Sequence, residues 1–348
     1  MLSIQSWLNR SSASSRNTPR ESCRYYGFDI IRSISVFLVV GCHLAIGTSD
    51  AASACLHYNR IAVPLFSATS GFLLSLSVDK DTTGSVLRKR VIRIVPVQVV
   101  WTIVYLIAFS LSSVFLNYPP DYLRNMSLMF LVKAFLRGCA SIHLWFLPSI
   151  LYSSIVLVLI DRFLPRQKWL YIVASAPVFA ASEVFNNHFA NYDLRLLGYL
   201  LMGFGLFRVL EEPSFKIITK AAVPLLLIAV FLFGCFTNPF AVSVLEYVLV
   251  LLTMVVFSDK RIPKYRIIAF ISSLSLLVYL VHILVACFVA LAIKHFSSDP
   301  VGIPAAISIW LLNFLISMAL AYLCRKLIPY LRLFCMSLFH ISAAGKRG

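Results

Sequence analysis

The sequence predicts an all-α fold, a polytopic integral membrane protein with about ten transmembrane helices and both termini in the cytoplasm. Three observations predict it. Of its 348 residues 60% are hydrophobic and only 13% charged, with a mean hydropathy of +0.86, a balance too apolar for a water-soluble globule. The apolar residues gather into runs of about 20, the length an α-helix needs to cross the hydrocarbon core. Lys and Arg collect in alternate gaps between those runs.

The runs place spans near residues 27–47, 60–78, 94–116, 143–161, 169–185, 194–210, 221–237, 242–258, 267–292 and 303–324. They form one transmembrane domain, residues 27–324. Before it, residues 1–26 carry Arg10, Arg16, Arg20 and Arg24 among many serines; a full-length span follows rather than a short apolar core with a cleavage site, so this is expected to be a retained basic tail. After it, residues 325–348 form a second basic tail. The stretch Leu123 to Gly138 sets Lys133 and Arg137 in an apolar pattern, which reads as an interfacial or re-entrant helix rather than a crossing.

Of the 31 Lys and Arg, 24 fall in the two tails and in the loops after the second, fourth, sixth and eighth spans. Loops rich in Lys and Arg stay on the cytoplasmic side, so both tails are expected inside a plasma (inner) membrane, and an even number of spans agrees. The long apolar runs exclude an outer-membrane barrel, whose strands alternate. A formal charge of +17 suggests nucleic acid only when basic residues share a water-soluble face, and here they lie between membrane segments. The eight cysteines show no Cys-x-x-Cys spacing; they read as packing residues, and no metal site is expected.

The first span holds Asp29, Arg32 and, eleven positions on, His43. Polar groups at membrane depth are costly unless partnered, so they mark a buried site. Eleven residues are close to three helical turns and rise about 16 Å, putting Arg32 and His43 on one face at two depths. Asp29, three positions before Arg32, is near enough for an ion pair. His282 also falls in the outer half of a span. His57, His188 and His295 fall in outer loops, where histidines are ordinarily solvated.

Five segments in order resemble the membrane acyltransferase family 3, which includes polysaccharide O-acetyltransferases and nodulation-factor acyltransferases. They are Asp29, Arg32 and His43 in the first span; FSATSGFLLS at Phe66–Ser75; Arg90 and Arg93 within RKRVIR; HLWFLP at His143–Pro148; and SLSLLVYLVH at Ser273–His282. The chain departs from the family pattern at Ile30, where Gly is usual, and at Thr69, where a bulkier apolar residue is usual.

The resemblance implies transfer of an acyl group, most simply acetyl, from acetyl-CoA to a hydroxyl of a cell-surface glycan or lipid-linked saccharide. Such a transfer requires a base of near-neutral pKa, and His43 is the candidate, as general base or as transient acyl carrier. Asp29 and Arg32 would hold that helix electrostatically. Guanidinium forks match phosphate oxygens, so Arg90 and Arg93, with Arg88 and Lys89, are candidates for coenzyme A on the cytoplasmic side. The thioester would then have to thread between helices, where Ser67, Ala68, Ser70 and Gly71 permit close approach.

His143, Trp145, Glu183 and Glu246, near outer helix ends with Arg195, are candidate acceptor contacts. Ser70 and His282 join them, although Ser70, Ser273, Ser275, Tyr279 and His282 also suit interhelical hydrogen bonds. A glycan or small-molecule transporter or exporter without acyl transfer is the competing reading, since ten spans with intramembrane charge also suit a carrier. A carrier is expected to show an internal repeat, and none is evident. A membrane sensor that keeps the fold without catalysis is a third.

Overall fold

The computed structural model describes residues 25–43, 58–115, 127–163, 169–184, 188–210, 212–235, 238–296 and 302–344. Most of the expected N-terminal tail, and His57, lie outside these residues, as do the side chains of His188 and His295. Among the described residues there is no strand. Eleven α-helices follow one another: α1 Gly27–Cys42, α2 Ala62–Lys80, α3 Thr83–Phe115, α4 Leu128–Arg137, α5 Phe146–Phe163, α6 Leu170–Val184, α7 His188–Val209, α8 Pro213–Cys235, α9 Pro239–Phe257, α10 Arg266–Phe296 and α11 Ile303–Ala344. A 3₁₀ turn, Tyr58–Ile61, leads into α2.

Within the described residues each apolar run coincides with a helix. Among the described residues five stretches are long and apolar enough to cross a bilayer, Asn59–Lys80, Thr83–Ser112, Phe146–Phe163, Arg266–Leu291 and Ile303–Leu327, and shorter apolar helices lie at Leu170–Val184, Ala221–Leu232 and Ala241–Phe257. The protein is therefore all-helical and suited to crossing a membrane repeatedly. Two bounds differ from the sequence reading. Helix α3 begins at Thr83, so the basic cluster Arg88 to Arg93 lies on its first turns instead of in a loop. Helix α11, 42 residues long in all, runs on through residue 325, so the expected tail boundary is not a break in the backbone.

The expected interfacial segment is α4. Ser127 caps its start by accepting from Phe130 N at 3.1 Å, and Gly138 ends it in the left-handed region at φ 71°. Leu128, Met129, Val132 and Leu136 are exposed along it beside Lys133 and Arg137, while Ala134 is buried. A Cβ at Gly138 would collide with the backbone of Leu144, so glycine lets the chain double back here toward His143.

Contacts sort the helix ends onto two faces. Ring contacts join Tyr25 and Phe28, at the start of α1, to Phe72 in the second half of α2, and the end of α1 meets the start of α2 where Gly41 packs on Asn59. These two helices are thus antiparallel. Helix α10 runs with α1: Ser272 and Ile268 bond to Asp29 and Ser33, and His282 meets His43. Helix α11 returns along α1, where Trp310 Nε1 donates to the Phe37 carbonyl at 2.9 Å and stacks on the Phe37 ring. The tightest seam joins α2 to α7, since a Cβ at Gly71 would strike the Leu200 carbonyl and one at Gly203 the Ala68 carbonyl. Small residues let these backbones approach, as the SATSG run suggested.

Candidate active site

The first-helix histidine lies at a helix end. Helix α1 stops at Cys42 and His43 is its C-cap, half-buried, with its backbone N–H bonded to the Gly41 carbonyl and no side-chain hydrogen bond among the described residues. Two further imidazoles converge on it. The His282 ring, from α10, is 5.2 Å away between centroids; the His143 ring, from the turn before α5, is 6.5 Å away; and those two are 5.1 Å apart. His143 is 2% exposed and His282 0%.

The second and third histidines are tied down. Ser141 Oγ lies 3.0 Å from His143 Nδ1, the Tyr279 hydroxyl donates to the His143 backbone carbonyl, and His282 Nδ1 is 2.6 Å from the Tyr279 carbonyl oxygen. Tyr105 of α3 packs edge-on against His143 at 5.0 Å, and Phe66 of α2 and Phe146 of α5 pack against Tyr279. Four of the five motif segments therefore meet in one polar cluster within an aromatic shell.

The fifth lies at the other end of α1. Arg90 reaches α2, donating from NH1 to Ser70 Oγ at 2.9 Å and from NH2 to the Ser70 carbonyl at 3.1 Å. It stands in electrostatic reach of Arg93 and of Arg32 from α1. Ser70 is thus joined to the basic cluster and not to the histidines. Arg88 and Arg93 are exposed, and Lys89 pairs with Asp81 at 2.7 Å. Arg88, Lys89 and Arg93, with Gly84, Ser85 and Ile92, line an open depression of about 540 Å³. Asp29 is buried and accepts from Ser272 Oγ at 2.8 Å, which ties α1 to α10.

Glu246 and Glu183 belong to a charge network on the histidine face. Glu246, 1% exposed, lies 2.8 Å from Arg195 NH2 and 3.0 Å from Arg60 Nε, and it accepts from the Tyr199 hydroxyl at 2.8 Å. Glu183 lies 3.5 Å from Arg195 NH1. Trp145 packs on Tyr192 at 4.9 Å, near the ion pair of Arg137 and Asp193.

Sequence reasoning missed a matching network on the basic face. Arg208, read as a loop charge, is 8% exposed in its side chain; it pairs with Asp161 at 3.2 Å, donates to Ser75 Oγ at 3.0 Å and lies over the Phe204 ring, while the Tyr171 hydroxyl donates to Asp161 at 2.6 Å. The available signal was an Asp and an Arg, each ending a different apolar run on the same face. Among the described residues no group of His, Cys, Asp or Glu is arranged to hold a metal ion.

These features define a class: an all-helical membrane protein with a polar site sunk among its helices, imidazoles toward one face and guanidinium groups toward the other. The sequence matches the acyltransferase domain of the acyltransferase 3 family over residues 25–326, from the start of α1 into α11. The chain belongs to that family and is a membrane acyltransferase. No curated protein and no solved structure matches it.

Proposed function

We propose that this protein moves an acetyl group from acetyl-CoA, bound at the cytoplasmic face, to a hydroxyl of a cell-surface glycan or lipid-linked saccharide reached from the outer face, with His43 as general base. The observation that carries this reading is the separation of two chemistries along α1, a histidine cluster at its end and a basic depression beside its start. Ten crossings of the inner (plasma) membrane with both termini inside put the basic end in the compartment that holds acyl-CoA.

At the donor end Arg88 and Arg93 are exposed to meet phosphates, whereas Lys89 is paired with Asp81 and Arg90 is occupied with Ser70, and these two contribute chiefly through their fields. The thin arm of the donor then extends between helices toward His43. There the imidazole takes the proton of the acceptor hydroxyl as its oxygen attacks the thioester carbonyl. The C–S bond breaks and the proton passes to the departing thiolate, so an ester and a free thiol result. Half-buried Trp145 supplies an aromatic surface for the sugar.

The test uses membranes containing the full chain, radiolabelled acetyl-CoA and the host's own saccharide. Label is expected on saccharide in an ester that hydroxylamine releases. Removing the base by His43→Ala lowers kcat at least about 100-fold at unchanged KM for acetyl-CoA. Removing one phosphate contact by Arg93→Ala raises that KM about tenfold at near-unchanged kcat. Saccharide crossing the membrane with no thioester consumed overturns the reading.

A further inference from the structure

We propose that His282 is the positioning residue that orients the reactive imidazole of His43, filling the place a carboxylate takes in hydrolase triads. This rests on the reading of His43 as base.

The tautomer of His282 follows from its bonding. Its Nδ1 faces the Tyr279 carbonyl oxygen at 2.6 Å, and a carbonyl only accepts, so Nδ1 carries the proton. In the neutral ring Nε2 is then a bare acceptor, and it is buried with no hydrogen-bond partner. A buried, unmet acceptor at a functional site calls for a donor.

Two rings supply candidates. The His143 ring lies 5.1 Å from that of His282 and its own Nε2 is likewise buried without a partner, but the bond of its Nδ1 to Ser141 fixes the ring, and its peptide carbonyl is held by Tyr279, so it does not turn to meet His282. The His43 ring is not fixed in this way, for it sits at the C-cap of α1, half-buried, with its backbone N–H bonded to the Gly41 carbonyl and no side-chain hydrogen bond to any described residue. At 5.2 Å between centroids, rotation of the His43 ring brings one of its nitrogens against His282 Nε2. Such bonds are often loose before substrate binds and tighten in the reacting complex. The acceptor itself is rigid, because the Tyr105 hydroxyl donates to the Leu280 carbonyl at 2.7 Å and holds α10 two residues before His282.

The consequence is chemical. With its N–H directed at His282, His43 presents its other nitrogen unprotonated to the acceptor hydroxyl, which is the basic form. When that nitrogen takes the hydroxyl proton, the imidazolium keeps its bond to His282, and the new proton later goes to the thiolate. No proton passes to His282, which stays neutral throughout. Among the described residues no carboxylate hydrogen-bonds to His43, so the imidazole takes that part.

Nitrogen-15 NMR of histidine-labelled full-length protein in lipid nanodiscs tests this, with His43 assigned by its loss in His43→Gln. Wild-type His43 is expected in a single tautomer with a hydrogen-bonded N–H. His282→Gln puts an amide oxygen near the Nε2 position, whereas His282→Asn keeps only a donor for the Tyr279 carbonyl. The single tautomer should persist in the Gln variant and become a mixture in the Asn variant. In the acetyl-transfer assay Gln should stay within about tenfold of wild type while Asn loses about 100-fold in kcat at unchanged KM for acetyl-CoA. A tautomer mixture in the wild type, or equal behaviour of the two variants, overturns the proposal. Absence of acetyl transfer by the wild type strikes the proposed function instead, and the NMR still decides the pairing.

Discussion

Glu246 has its two carboxylate oxygens set against two guanidinium groups, Arg195 and Arg60, and a tyrosine hydroxyl. A carboxylate this deeply buried is tolerable only because those partners answer it, and deleting one member strands the others. Glu246→Ala should therefore cost about 3 kcal/mol, the lower end for broken buried pairs, because Arg60 and Arg195 keep some water at 29% and 21% side-chain exposure. Thermal unfolding in detergent measures it, and Glu246→Gln, which keeps an acceptor for Tyr199, should cost less. A direct acceptor contact without a structural part would leave the unfolding midpoint unmoved. Glu246 was visible in the sequence as a carboxylate near a helix end, but its two arginines come from α7 and from the turn before α2, far apart along the chain.

At the scale of elements, the α2–α7 seam is where two helix backbones approach most closely along small residues. Ala68 and Gly71 on one helix meet Gly203 and Leu200 on the other through backbone atoms, so no flexible side chain is available to yield. Gly203→Leu forces the helices apart and should cost at least about 1–3 kcal/mol, the usual range for overpacking, seen as a lower unfolding midpoint and less protein in the membrane. Gly84→Ala, where a Cβ meets nothing within 4 Å, is the matched control and should have no such effect. The small-residue run on α2 was legible because it is local. Its partner was not, since which helix docks there depends on every other pairing in the bundle.

For the whole molecule, Arg208 with Asp161 and Glu246 with Arg195 and Arg60 brace opposite faces, each network joining three or more helices at their ends. The arrangement makes a test of orientation direct. In a chain whose eight native cysteines are replaced, Val184→Cys should react with a membrane-impermeant maleimide in intact cells, and Thr82→Cys only after permeabilisation. The reverse pattern refutes the proposed orientation, and equal labelling from outside refutes two-faced topology.

The sequence by itself determined where the helices lie and which ends are basic, because hydropathy and loop charge are properties of contiguous segments and act residue by residue on transfer into lipid. It also singled out His43, Arg90 and Arg93 through short patterns. Only the tertiary structure decided that His143 and His282 share one cluster with His43, that Ser70 answers Arg90, and that Glu246 is paired with two arginines. Those juxtapositions join residues many positions apart, and they are set by how the helices pack, a free-energy balance over the whole bundle that no local pattern encodes.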